Sequence, residues 1–118
     1  MPRILFVEDD SELRLLVEHV LLDAGYEVDV AETLGAGSAL LEHGDCDLVV
    51  ADARLSDGNG MLLAELARAR EIPAIIITGY AFVLNEPGVD LGRYDVLLKP
   101  ISPEELLASV AKALDARN

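Results

Sequence analysis

The chain has 118 residues, 52% hydrophobic and 26% charged, enough for one globular domain with a core and too few for a catalytic domain plus a regulatory one. Nine basic residues against 22 acidic ones give a net charge of −13, which disfavours a nucleic-acid backbone as partner. No apolar run approaches the roughly 18 residues of a membrane span and no signal-peptide pattern is present, while a lone Cys46 excludes an intramolecular disulfide or a multi-thiolate metal site; a cytoplasmic protein is expected.

The first element is the apolar run Ile4 to Val7, a buried strand by composition, which stops abruptly in Glu8, Asp9 and Asp10. Two like charges about 5 Å apart repel by roughly 3 kcal/mol at an effective dielectric of about 20, and burial raises the cost, so something must compensate these acids. Leu13, Leu16, Val17, Val20, Leu21 and Ala24 then follow the spacing of one helical face, and Gly25 supplies the stop. Asp10 and Ser11 compete as its N-cap. Leu15 and Leu22 lie opposite that stripe with Glu18 and His19 between them, either isolated surface leucines or a docking patch. Glu27 to Ala31 carries the mixed V-D-V of an edge strand, and Leu34 to Glu42 is a weaker helix diluted by Gly35 and Gly37.

Cys46 is expected as a small buried hydrophobe ahead of the third strand, with a redox role as the alternative. That strand, Asp47 to Ala51, is followed by Asp52. D-G-N-G from Asp57 to Gly60 reads as a turn into the third helix; it lacks the alternating ligands of a calcium loop. Leu62, Leu63, Leu66 and Ala67 mark that helix, and Ala74 to Ile77 is a strand followed by Thr78. A fourth helix belongs by symmetry between Ala81 and Arg93, but Pro87, Gly88 and Gly92 argue for a short helix or a mobile loop. Val96 to Leu98 is the last strand, followed by Lys99. S-P-E-E then opens the final helix, with Ser102 as N-cap, Pro103 at the first helical position and Glu105 closing a capping box. Leu106, Leu107, Val110, Ala111 and Leu114 share its inner face. His19 and His43 have no metal-like or triad partner by spacing and are expected at the surface.

Apolar runs alternating with helical stretches define an α/β domain with a largely parallel sheet, and four of the five runs suit strands covered on both faces. In such a sheet the C-terminal strand ends share one rim, so Glu8, Asp9, Asp52, Thr78 and Lys99 should converge on one crevice. Acids from two strands, a hydroxyl from a third and an ammonium from a fourth suit a divalent cation and an anion together: carboxylates for a hard cation such as Mg2+, Lys99 and Thr78 for phosphate oxygens, Asp52 as a carboxylate nucleophile. The cation would offset the repulsion among the acids.

These residues resemble the receiver domain of response regulators, the CheY-like family. The matching pieces are I-L-F-V-E-D-D, L-V-V-A-D-A-R-L-S-D-G-N-G, I-I-I-T-G and L-L-K-P, in order over essentially the whole chain. The resemblance implies a single receiver domain over 1–118 with a doubly wound, flavodoxin-like (βα)5 fold and a five-stranded parallel sheet in order 2-1-3-4-5. It implies that Asp52 accepts a phosphoryl group, that Asp9, Asp52 and the main-chain carbonyl of Arg54 bind Mg2+ with help from Glu8, that Thr78 and Lys99 hold the phosphoryl group, and that Pro100 follows a cis peptide. Asp10 falls outside the acid pair and is expected to serve the helix N-terminus.

Two departures matter. Ser56 stands where receivers commonly have Pro, and Val96 where many carry a switching Tyr or Phe. P-A-I-I-I-T-G-Y-A resembles the FATGUY-type subgroup, matching at Pro73, Thr78, Gly79 and Tyr80, whose members tend to lack the aromatic switch and are often paired with HWE-type histidine kinases. Ordering of the Tyr80 to Tyr94 segment would then replace the ring rotation. Bulky Arg54 and Tyr80, two residues past Asp52 and Thr78, imply a long phosphoryl lifetime.

The expected function is a stand-alone response regulator in a Mg-dependent phosphorelay. Its phosphodonor would be a histidine kinase or phosphotransfer protein, and its output protein contacts or phosphate draining, with no nucleic-acid or membrane partner. It would catalyse only its own phosphorylation and dephosphorylation and is otherwise no enzyme. A receiver-shaped binding module without phosphorylation is the alternative. An aspartate-dependent phosphohydrolase needs a second Asp where Arg54 stands.

Overall fold

The structure, a computed structural model, describes residues 1–79 and 94–117. Expectations for Tyr80 and for Ala81 to Arg93 lie outside the described residues.

Five strands form the main sheet: β1 (Arg3–Val7), β2 (Glu27–Ala31), β3 (Leu48–Asp52), β6 (Ala74–Thr78) and β7 (Asp95–Leu98). All pair in parallel in the order β2-β1-β3-β6-β7, which is 2-1-3-4-5 when these five are counted along the chain. A short antiparallel hairpin, β4 (Arg54–Leu55) with β5 (Gly58–Asn59), follows β3. The helices are α1 (Ser11–Asp23), α2 (Leu34–His43), α3 (Met61–Ala69) and α4 (Pro103–Arg117).

The period of two along each strand divides the core. Ile4, Phe6, Leu48, Val50, Ile75 and Ile77 point to α1 and α4, where they meet Val17, Leu21, Leu106 and Val110. Leu5, Val7, Val49, Ala51 and Ile76 point the other way, to Leu41 of α2 and Leu63, Ala64 and Ala67 of α3. With both faces covered, β1, β3 and β6 are as apolar as a parallel sheet requires. β2 lies at one edge, as its mixed sequence indicates. β7, read as covered on both faces, is the strand at the other end and is only half-buried, with Leu98 exposed.

Helix phases differ from expectation in places. On α1, Leu16 is 51% exposed and Ala24, the C-cap, is exposed too, leaving Val17 and Leu21 as the buried residues; Leu15 and Leu22 are exposed as expected. On α3, Leu62 (57%) and Leu66 (46%) face outward while Met61, Leu63, Ala64 and Ala67 are buried. Ala64 and Ala67 let the helix axis approach the sheet, Met61 and Leu63 are buried beside them, and of the leucines only Leu62 and Leu66 are turned away. On α4, Ala113 is buried in place of Ala111.

The caps explain the starts. Asp10, not Ser11, caps α1, its Oδ1 accepting the Glu12 and Leu13 N–H groups at 3.0 and 3.3 Å. Ser102 caps α4 by accepting the Glu105 N–H at 3.3 Å, but its hydroxyl donates to Glu104 Oε2 at 2.9 Å, so Glu104 supplies the reciprocal carboxylate contact expected of Glu105. Gly37 does more than dilute α2: a Cβ there would lie 2.8 Å from Val7 Cγ2, so its absence lets the helix settle onto β1. Cys46 is buried ahead of β3, and His19 and His43 are exposed.

Candidate functional site

Register brings the site together. Val7 pairs with Ala31 and Ala51, Asp52 with Ile77, and Thr78 with Leu98, so β1, β3, β6 and β7 all end at one level. Glu8 and Asp9 step off β1 there, Asp52 and Thr78 are the last residues of β3 and β6, and Lys99 follows β7 directly. Asp52 and Thr78 were expected just beyond their strands; belonging to the strands fixes them more firmly.

Glu8 is 0% exposed, Asp52 4% and Thr78 1%, whereas Asp9 is open to solvent. One carboxylate oxygen each from Glu8, Asp9 and Asp52 lie within 4.8 Å of one another, a spacing a single cation can bridge. Lys99 Nζ donates to Asp52 Oδ2 at 2.8 Å and lies 3.0 Å from Glu8 Oε1. That second approach has ion-pair distance but lacks hydrogen-bond geometry, so Glu8 Oε1 is buried without a hydrogen-bond partner among the described residues. A buried carboxylate oxygen in that condition suits a cation. Glu8 Oε2 accepts the Asp10 N–H at 3.1 Å, and Asp52 Oδ1 the Arg54 N–H at 3.0 Å.

The titration of the site follows. Burial first and the neighbouring Asp52 second push the Glu8 carboxyl up to about 7, against the pull of the Asp10 N–H and Lys99. For Lys99, burial pulls the ammonium down, but Asp52 and then Glu8 outweigh it and the pKa is raised. The lysine is therefore a permanent cation.

Three contributors were not assigned these contacts from sequence. Gly60, read only as part of a turn, packs against the end of β3: a Cβ there would fall 1.9 Å from the Asp52 carbonyl oxygen. Asp57 does lie in the turn to α3, but its carboxylate also caps α2 from a distance, accepting the Leu34 and Gly35 N–H groups at 2.7 and 3.0 Å. Arg14, the one Lys or Arg on α1, reaches back to the Glu8 carbonyl at 2.8 Å. Arg54 is exposed beside the site, Val96 packs half-buried against the core on the α2 and α3 side, and the Lys99–Pro100 peptide is cis.

A doubly wound parallel sheet with an acid trio and a lysine at the C-terminal rim defines a CheY-like receiver of two-component signal transduction. The chain belongs to the response regulator receiver domain family, whose model matches residues 4–111. It is 35% identical over 120 residues to the alginate biosynthesis transcriptional regulatory protein AlgB of Pseudomonas aeruginosa, covering 98% of this chain and 26% of that protein. The chain spans 26% of the length of that relative and 58% of the photosynthetic apparatus regulatory protein RegA of Rhodobacter capsulatus. Among solved structures it is similar to a CheY-like response regulator receiver domain protein from Methanospirillum hungatei JF-1 (TM-score 0.84, 32% identity, 99% and 96% of the two chains covered). It is also similar to response regulator protein TrrA from Thermotoga maritima in complex with Mg2+ and BeF (TM-score 0.86, 27% identity, 97% and 100% covered).

Proposed function

We propose that this receiver accepts a phosphoryl group on Asp52 from a phosphohistidine of a histidine kinase or phosphotransfer protein, in a Mg2+-dependent relay. The observation that carries the reading is a buried Asp52 carboxylate bound to Lys99 within reach of two further acids. One Asp52 oxygen forms a bond to phosphorus as the P–N bond of the donor breaks, and the departing imidazole takes up a proton. Glu8, Asp9 and Asp52, with the Arg54 main-chain carbonyl, would hold Mg2+, which when bound supplies positive charge to the phosphoryl oxygens. Lys99 offers its ammonium to the same group, and Thr78, buried at the end of β6, its hydroxyl. The chain catalyses only this transfer and the later hydrolysis of the acyl phosphate, in which water takes the phosphoryl group as inorganic phosphate and the Asp52 carboxylate is regenerated.

A cavity of about 330 Å3 opens beside Lys99, lined by Asp10, Leu13, Leu16, Pro100 and Ile101 among others, and is where the donor protein would seat. Leu16, exposed against expectation, lines this cavity, and Leu15 and Leu22 are further exposed leucines of the same helix. We place the reaction in the cytoplasm, with output through protein contacts of the receiver or through draining of phosphate from the relay. Incubation with Mg2+ and acetyl phosphate should give a labile mass gain of one phosphoryl group that Asp52→Asn and metal chelation both abolish. No gain in the wild-type protein would leave a phosphorylation-independent interaction module.

A further inference from the structure

Arg14 sits at the end of the first turn of α1 and sends its guanidinium back toward the sheet. Nη1 donates to the main-chain carbonyl of Glu8 at 2.8 Å, and Nη2 lies 3.8 Å from Glu32 Oε2. The Arg14 side chain is 19% exposed and that of Glu32 69%, so the ion pair is solvent-screened and the weight of the contact falls on the carbonyl.

That carbonyl is half of the peptide joining Glu8 to Asp9, and the orientation of this peptide plane sets the directions in which the two side chains leave the backbone. The flanking groups are already tied: the Glu8 N–H to the Ala31 carbonyl at 3.0 Å, the Asp10 N–H to Glu8 Oε2 at 3.1 Å, and the Arg14 N–H to the Asp10 carbonyl at 2.9 Å. The guanidinium adds a charge-assisted bond to the peptide that carries both acids, and sets a positive charge behind them.

We propose that Arg14 is a positioning residue for the cation site, holding the Glu8–Asp9 peptide plane so that the adjacent carboxylates face a single ion. This rests on the reading that Glu8, Asp9 and Asp52 hold the cation, and adds a residue that acts through the main chain. Loss of an outer partner of this kind typically weakens metal binding by about 10- to 100-fold, and that range is expected for Arg14→Gln and Arg14→Leu. Arg14→Lys, which keeps a charged donor, should recover most of the loss, and Glu32→Gln should change Mg2+ affinity less than about twofold.

The test is calorimetric titration of the folded proteins with Mg2+, well below their melting transitions, beside the melts themselves. An arginine that only stabilised the helix would lower the melting temperature of the loss variants and leave the Kd for Mg2+ where it was. A folded Arg14→Gln or Arg14→Leu protein with wild-type Kd overturns the proposal. Independently of any variant, the Glu8 carbonyl 13C and Arg14 guanidinium 15N resonances of the wild-type protein should shift with the midpoint of Mg2+ binding; immobile resonances overturn it as well. A wild-type protein that takes up no Mg2+ overturns the site reading itself, and the role of Arg14 with it.

Discussion

Glu8→Gln should make the metal-free protein more stable at alkaline pH. Glu8 is fully buried, and burial, with Asp52 beside it, lifts its carboxyl from an ordinary 4.5 to about 7. The folded state therefore holds this proton more tightly than the unfolded chain does. The associated stability is fully present below about pH 4.5 and is lost as pH rises through about 7. At about 1.4 kcal/mol for each pH unit, that window corresponds to ~3 kcal/mol. The glutamine should therefore recover ~2 to 3 kcal/mol near pH 8 and very little near pH 4.5. Urea unfolding of both proteins at the two pH values with chelator present measures the difference directly. Added Mg2+ should narrow the gap near pH 8, since an ion bound to the native carboxylates stabilises the wild-type protein by linkage. A difference between the two proteins that does not change with pH would refute the reasoning.

Gly60→Ala forces a methyl group against the Asp52 carbonyl oxygen, so the loop after β3 must move; phosphoryl uptake from acetyl phosphate should fall at least ~10-fold, with ~1 to 3 kcal/mol lost in urea unfolding. Gly37→Ala places its Cβ 2.8 Å from Val7 Cγ2 and 3.3 Å from Leu63 Cδ2, and its overpacking should be relieved in the double variant with Val7→Ala. A coupling of at least ~0.5 kcal/mol in that cycle is expected, and simple additivity would count against it. Asp57→Asn should speed hydrogen exchange at the Leu34 and Gly35 amides. These amides, the Leu34 N–H first, hold the Asp57 pKa below its ordinary 3.8, so the link is intact above that value and is lost as pH falls through the lower folded one. Amide exchange by NMR across the acid range checks the direction.

The strands and the rim were legible because the same residues carry both signals. Val7, Ala51, Ile77 and Leu98 end apolar runs, and the polar residue after each is a site residue, so a parallel sheet needs only its register to assemble them. Helix phase was less legible where the sequence is apolar on more than one side. In M-L-L-A-E-L-A the stripe through Leu62 and Leu66 is as regular as that through Met61, Ala64 and the helix end, and the helix settled on the face where Ala64 and Ala67 allow close approach to the sheet, with Met61 and Leu63 buried beside them. Arg14, Asp57 and Gly60 escaped because their partners are set by chain path: Asp57 meets α2 only after the hairpin folds back across 22 and 23 residues. No periodicity encodes such a contact.

The site's charges suit a divalent cation. Three carboxylates and one ammonium leave two negative charges when all are ionised, the charge of one divalent cation. With Glu8 titrating at about 7, part of that excess is cancelled by a proton at neutral pH, and a cation taking Glu8 as ligand must expel it. Mg2+ affinity should therefore rise with pH and level off above about 7, with proton release per ion falling toward zero over the same range. Calorimetric titrations in buffers of different ionisation enthalpy count the released protons. A proton count that stays at zero below pH 7 while Mg2+ still binds would mean that Glu8 is ionised before the ion arrives, and that Lys99, not the metal, is its principal counter-charge.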